Sequence, residues 1–464
     1  MTADSGPPVY YGAVELQQKA QVQNTAEKTK WKRHTWIVPL VHTEIWMSAL
    51  LGVTQTFFPL LATKRGVQAW KCGLVFSVFK AAMFLASVLG DRMLQWTSPQ
   101  ACYLIGQTGA FIFSVSEASL YWSSGSQSLF LLSLATVLLG GFSVGLYFVS
   151  LFSVVTHKFS KNPGLIIAAL EISWGIGNMI GSALGGQLID VWAYPLPFFV
   201  MSAILMLSFP WNTKLGSKIN NMPPTVGDKV DAAKPKYSNL MRDPLFLAHM
   251  ATLTTVWVMS AFNEPTLQPS LEEFQTSVTA RGVVFAVQFA SYVFGCTLAA
   301  IFCHLQVMAF YAFLGHLLTL TAYFIIGPVI LIRLERNLGL VYAAQVLLGV
   351  GMSSLFVCAY HQALQRATQL GYPDDITTHG FVSSTVFTFM VSGSIVTDPI
   401  AGKLLDAYGY RKATTFMFFL LLTLTPVTFV VWMSSSVKSH YERRKVRANA
   451  KGIFEFTRAH YSNK

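Results

Sequence analysis

Apolar runs of about 20 residues, the length that crosses a bilayer, recur along this chain with short polar links between them. Twelve are read from the sequence, at 35–61, 70–92, 100–121, 127–155, 164–189, 196–212, 244–267, 281–303, 306–328, 338–361, 380–403 and 412–434. The pattern predicts an all-α membrane protein. One long polar interruption, "TKLGSKINNMPPTVGDKVDAAKPKYSNLMRD", divides the runs six and six. The expected organisation is an amino-terminal tail (1–34), a first six-helix half (35–212), a linker (213–243), a second half (244–434) and a basic carboxyl tail (435–464).

Composition agrees, with 53% hydrophobic and 12% charged residues and a mean hydropathy of +0.48. Such a balance excludes an ordinary soluble core. The first 34 residues are polar and hold no apolar signal-type segment, so the amino terminus is expected in the cytosol. Cytosolic segments then collect 23 lysines and arginines against 9 outside. The net charge of +12 is thereby explained as topology, with a secondary attraction to the anionic cytoplasmic leaflet. No nucleic-acid motif accompanies the basic residues. Five scattered cysteines without C-x-x-C spacing argue neither a disulfide framework nor a zinc site. With no nucleophile–base pair or phosphate loop, no enzyme, metal or cofactor is expected.

The two halves share a plan. "GLVFSVFKAA" from Gly73 matches "GVVFAVQFAS" from Gly282, and "ATVLLG" from Ala135 matches "AQVLLG" from Ala344, both at an offset of 209. "IGSALGGQLID" from Ile180 recurs as "VTDPIAGKLLD" from Val396, at an offset of 216. Duplicated six-helix halves with a basic linker are the plan of secondary transporters, whose site lies between the halves near the midplane.

Polar groups inside apolar runs mark where lipid cannot be. In "ALEISWGIGNMIGSALGG", Glu171, Asn178 and Ser182 fall within about 20° on the helix wheel. Gly177, Gly181 and Gly185, with Gly186 beside them, form a small-residue seam for close helix packing. Glu171 should face a cavity, a partner or a proton; a structural glutamate bonded between helices is the alternative.

The segment "GNMIGSALGG" resembles the antiporter signature of the major facilitator superfamily, with Ser182 where a proline usually stands. The flanking "ALE" and "YPLPFFVM", and "EPTLQP" in the seventh run, resemble the vesicular amine transporter group, most closely its polyamine-transporter-like branch. The resemblance implies a twelve-helix major facilitator fold. It also implies that Glu264 is the helix-seven carboxylate used for proton or cargo binding, against an interfacial residue close to the outer boundary. Pro265 beside it removes a backbone donor and kinks the helix, as broken helices around transporter cavities do. The group pairs a helix-two lysine with a helix-eleven aspartate. Lys80 lies one residue from that lysine's place and Asp398 is the acid within helix eleven, so the resemblance implies a Lys80–Asp398 pair, against a lysine that snorkels outward. Glu44 is deep in the first run, yet the helix-one aspartate of the group aligns nearer Leu50. His316 reads as an interhelical bonding residue. Trp46, Tyr147, Trp174, Trp257 and Tyr292 offer aromatic faces to a cation.

The sequence departs from the superfamily at its cytosolic lock. "LGDRMLQWTSP" keeps only Asp91 and Arg92 of the usual loop, and Thr136 stands where a helix-four arginine is common. The expected function is proton-coupled antiport of an organic cation, amine or polyamine, by alternating access. Partners are the small cation, protons and the bilayer, with a monomer expected. An uncoupled facilitator or exporter of another solute, and a non-transporting receptor on the same fold, are the alternatives. The resemblance suggests a vesicular or endolysosomal membrane, with the plasma membrane open. "YGAV" at Tyr11 has the form of an endosomal sorting signal.

Overall fold

The computed structural model describes residues 37–158, 163–214, 237–327, 337–373 and 376–462. Among them the chain is helical throughout. The first half comprises α1 (Ile37–Lys64), α2 (Ala69–Trp96), α3 (Pro99–Ser119), α4 (Ser126–Lys158), α5 (Pro163–Val191) and α6 (Pro195–Lys214, interrupted at Ser208). The second comprises α7 (Pro244–Ser270), α8 (Val278–His304), α9 (Met308–Ile326), α10 (Leu338–Gln369), α11 (Ile376–Tyr408) and α12 (Tyr410–Ser462). All twelve expected helices form, and several overrun the apolar stretch that announces them because the first and last turns stand in water or headgroups. The last runs on to Ser462 instead of stopping near 434. The amino-terminal tail with Tyr11, and linker residues 215–236, lie outside the described residues.

Eleven of the helices are long and apolar enough to cross a membrane on their own composition. The exception, α3, is 21 residues long and carries Gln107, Ser114 and Glu117. Most of its polar groups bond α6 and the residue before it: Gln107 donates to the Leu205 carbonyl at 3.0 Å, Ser114 to the Phe198 carbonyl at 3.0 Å, and Glu117 Oε2 accepts from the Tyr194 hydroxyl at 3.3 Å. A helix that lays its polar face on a neighbour needs less hydropathy to sit in lipid.

Each half packs its own apolar core, one around Met47, Phe57, Phe113 and Tyr147, the other around Met250, Phe262, Tyr323 and Leu355. Large apolar side chains such as Leu85, Leu131, Phe294 and Val430 point outward, as a lipid-facing surface requires. The halves meet along α5–α8 and α2–α11. On α5 a Cβ at Gly177 would strike the Ile45 carbonyl, and one at Gly181 the Ala49 carbonyl. These two glycines therefore press α1 backbone to backbone, while Gly186 admits the start of α8 at Val278 and Thr279. Gly73 does the same for α2 against α11, where a Cβ would meet the carbonyl of Asp398. With the lysine-rich face taken as cytosolic, two carboxylates bind helix starts at the outer ends. Asp190 accepts from the Thr279 N–H at 2.8 Å and its hydroxyl at 2.6 Å, and Asp406 accepts from the N–H groups of Ala69 and Trp70 at 3.1 and 3.0 Å. They are the matched last residues of the 216-offset repeat, so each half caps a helix of the other.

Candidate functional site

Between the halves lies a cavity with about 1040 Å³ of space not filled by atoms, lined from α1, α2, α4, α5, α7, α8, α10 and α11. Its wall is mostly aromatic and aliphatic, and Glu44, Lys80, Glu171 and Glu264 are its charged residues. The helical spacing of Gly73, Ser77 and Lys80 turns all three toward α11. Ser77 donates to the Ile395 carbonyl at 2.7 Å, and the Lys80 ammonium reaches Asp398 at 3.1 and 3.0 Å. The same ammonium donates to Glu264 Oε2 at 2.8 Å, and Glu264 Oε1 lies 3.4 Å from the Ser260 hydroxyl one turn back. Lys80, Glu264 and Asp398 are 3%, 4% and 0% exposed. Lys80 does not snorkel: it spends its charge on two carboxylates, one from α7 and one from α11, and so ties the first half to two helices of the second.

The other two acids are held by phenols. Glu171 accepts from the Tyr292 hydroxyl at 2.8 Å across the α5–α8 seam, and Glu44, 2% exposed, accepts from Tyr147 at 3.0 Å. A phenol donor fixes a carboxylate without cancelling its charge. The site thus holds four carboxylates to one ammonium, in surroundings where a bare carboxylate is costly. Trp174, Trp257 and Tyr292 stand around it with phenylalanines 76, 79, 148, 152, 356 and 387, so an apolar or delocalised cation would meet ring faces on several sides. Across the cytosolic end Phe152 of α4 touches Phe387 of α11 edge to face, with centroids 5.2 Å apart.

Some candidates lie elsewhere. Asn178 is fully buried but donates to the Trp174 carbonyl at 2.9 Å on its own helix and packs where Gly52 of α1 meets α5, so it faces the helix seam and not the cavity. The wheel put Asn178 with Glu171 correctly, but α1 covers the outer part of that stripe with Gly52 and Thr56. Ser182 shares its fate, bonded to Thr56 at 3.0 Å. Trp46 lies tilted against His42, with centroids 6.3 Å apart, and is not among the residues of the cavity wall. His316 is held by the Leu421 carbonyl at 3.0 Å and Thr425 at 3.1 Å, between α9 and α12. Pro265 lies within a continuous α7, one residue past Glu264. The side chains of Asp91 and Arg92 lie outside the described residues. All five cysteines are free. Among residues the sequence gave no reason to choose are Gln55, Ser260 and the phenylalanine wall; only the 209 offset, which pairs Gln55 with Glu264, could have flagged the first. Glu117, an acid inside α3, is also buried but lies off the cavity.

A family model described as Major Facilitator Superfamily matches residues 52–372. The chain is similar to the MFS-type transporter SLC18B1 of Mus musculus, 23% identical over 408 residues that cover 86% of each chain. It is similarly related to that of Rattus norvegicus, at 22% over 391 residues, 82% of this chain and 83% of the other. Among solved structures it is similar to the nucleoside transporter NupG, with a TM-score of 0.62 at 12% identity over 86% of this chain and 100% of that one. At that identity the likeness is one of fold.

Proposed function

Since the chain belongs to the major facilitator superfamily, we propose that it is a secondary transporter that exchanges an organic cation, an amine or polyamine, for protons by alternating access. It is an integral multi-pass membrane transporter and not an enzyme, and a non-transporting receptor has no support from its relatives. The observation that carries the finer reading is the charge imbalance of the cavity. Three carboxylates, Glu44, Glu171 and Glu264, line it, and Asp398 is buried beside Lys80, against a single ammonium that is already engaged. An arriving cation completes the charge and displaces protons; protons arriving from the other side displace the cation. Competition for the same carboxylates is sufficient for exchange.

Within this scheme Glu171 and Glu264 are the competing groups, and Lys80 sets the energy of the second by sharing it with Asp398. Cargo that bonds Glu264 takes it from Lys80, which frees α2 from α7 and couples binding to the contact between halves. The aromatic wall favours a cation with apolar carbon around its charge. The family resemblance favours a vesicular or endolysosomal location.

The test is uptake of a radiolabelled panel of amines, polyamines and amphiphilic cations into proteoliposomes with an acid interior. The reading expects gradient-driven accumulation of at least one member, abolished in Glu171→Gln and in Glu264→Gln while both proteins remain folded in the membrane. Full uptake by both variants, or uptake indifferent to collapse of the gradient, rejects it in favour of an uncoupled facilitator.

A further inference from the structure

Glu44 differs from the other cavity acids in what stands behind it. Away from the cavity, its Tyr147 partner packs on the ring of Tyr103 of α3, with centroids 5.0 Å apart. The Tyr103 hydroxyl lies beside Tyr147, Thr43 and Asn212 without a well-formed hydrogen bond to any of them. From there a bonded cluster continues between α1, α3 and α6. Thr43 and Ser208 share a hydrogen bond of 2.8 Å, and Asn212 Nδ2 donates to Thr43 and to Gln107 Oε1, each at 3.0 Å. Gln107 donates to Ser208 at 3.1 Å. At the far end Gln100, in the first turn of α3, donates to the carbonyls of Asn212 and Thr213 at 3.1 and 2.7 Å.

We propose that this row is a proton path private to the first half, leading from Glu44 through Tyr147 and Tyr103 to the Thr43–Ser208–Asn212 cluster and the cytosolic ends of α1, α3 and α6. It rests on the reading of cavity acids as proton carriers, and adds a route that the cargo does not share. Every member from Tyr147 to Asn212 is at most 3% exposed, including Thr43 and Gln107 at 0%. Leucine would fill such positions at no electrostatic cost. Polar groups that serve only to join helices are expected to be fully bonded. Here the Tyr103 hydroxyl and Asn212 Oδ1 are left without partners, although both are buried. A phenol O–H and an amide oxygen, both buried and unpartnered within one cluster, leave two ends that a relayed proton, or a water carrying it, can connect.

The chemistry balances without a stranded charge. When the Glu44 carboxylate takes the Tyr147 proton, the phenol oxygen takes one from the Tyr103 side in the same passage, and the cytosolic end supplies it. Release runs in reverse. The amides hold the geometry and the hydroxyls move protons. The charged and titratable groups facing Glu44 are Tyr147 from α4, Tyr103 beyond it from α3, and Glu171, Lys80 and Glu264 around the cavity from α5, α2 and α7; the described part of α6 offers only Ser208 and Asn212. His42, on α1, turns to Trp46. The route runs within the first half and does not pass the Phe152–Phe387 contact between the halves.

The experiment needs no cargo. The full chain in lipid nanodiscs is given a pH jump, and the carboxyl band of Glu44, assigned with Glu44→Gln, is followed by time-resolved infrared spectroscopy. Tyr103→Phe and Tyr147→Phe should slow that band by about tenfold or more with the melting temperature kept, and Asn212→Leu should slow it too. Equal rates in wild type and both phenylalanine variants would overturn the path, as would a Glu44 band that never changes with pH. In that last case the exchange reading for Glu171 and Glu264 stands, because the uptake assay tests it separately. If uptake proves independent of the gradient while the Glu44 band still slows in the variants, the path stands and the coupling scheme fails.

Discussion

Lys80 holds two carboxylates in a nearly dry setting, which makes it the residue whose loss should be felt most. Removing one partner of a buried ion pair typically costs about 3–5 kcal/mol, because the remaining charge has nothing to face. Lys80→Met is therefore expected to lower the melting temperature sharply. The triple change Lys80→Met, Glu264→Gln, Asp398→Asn should restore most of that stability and still transport nothing; thermal unfolding in detergent and uptake in proteoliposomes check the two halves of the prediction. A partly buried pair at the start of α7 makes a useful contrast. Asp243 caps α7 through the Phe246 N–H at 2.8 Å and binds Arg366 of α10 at 2.9 and 2.6 Å. The Arg366 guanidinium holds its carboxyl below the usual carboxylate range. A depressed carboxyl stabilises the fold above its unfolded value, about 4, and that contribution disappears as pH falls through the folded one. Asp243→Asn keeps the cap and loses the charge, so it should cost up to about 1 kcal/mol at neutral pH. A melting series should show the gap to wild type closing in acid; a gap constant with pH would contradict the assignment. In the sequence, the intramembrane acids stood out singly because lipid excludes them. That Lys80 would take Glu264 as well as Asp398 was not legible, since 184 residues separate the two and only the crossing of α2, α7 and α11 sets their distance.

Helices were the readable level, because twenty apolar residues have one stable form in a bilayer. The α5 glycine stripe was readable too, since a spacing of four keeps small residues on one face whatever the helix meets. Which helix it meets was not readable. Gly181→Ala is expected to push α1 away from α5, because the added carbon meets backbone at Ala49 that cannot rotate aside, whereas Gly125→Ala meets nothing within 4 Å and should be silent. Expression and melting temperature in detergent distinguish them, and equal behaviour would mean that the α1–α5 seam yields more easily than its backbone contact suggests. Asn178 shows the limit of wheel reasoning: it shares an angle with Glu171, yet seven residues, about 10 Å along the axis, carry it from the cavity into the seam.

At the scale of the molecule, duplication supplies the frame and divergence supplies the chemistry. Asp190 and Asp406 are retained in both repeats and join the outer ends reciprocally. Their double replacement, Asp190→Asn with Asp406→Asn, should raise labelling of cysteines placed at the outer ends of α2 and α8, and unchanged labelling would show that glycine packing alone holds that side. The cavity acids, by contrast, have neutral counterparts: Gln55 for Glu264, and Phe387 for Glu171 at the 216 offset. The site is thus charged by asymmetry laid on a symmetric scaffold, and it remains short of positive charge. The most direct measurement is proton release on cation binding, with spermidine and an amphiphilic amine added in turn to purified protein in weakly buffered detergent and the pH followed with an indicator dye. Protons should leave as the cation binds, fewer in Glu171→Gln and in Glu264→Gln; cation binding that releases none, or the same number in all three proteins, would contradict the account.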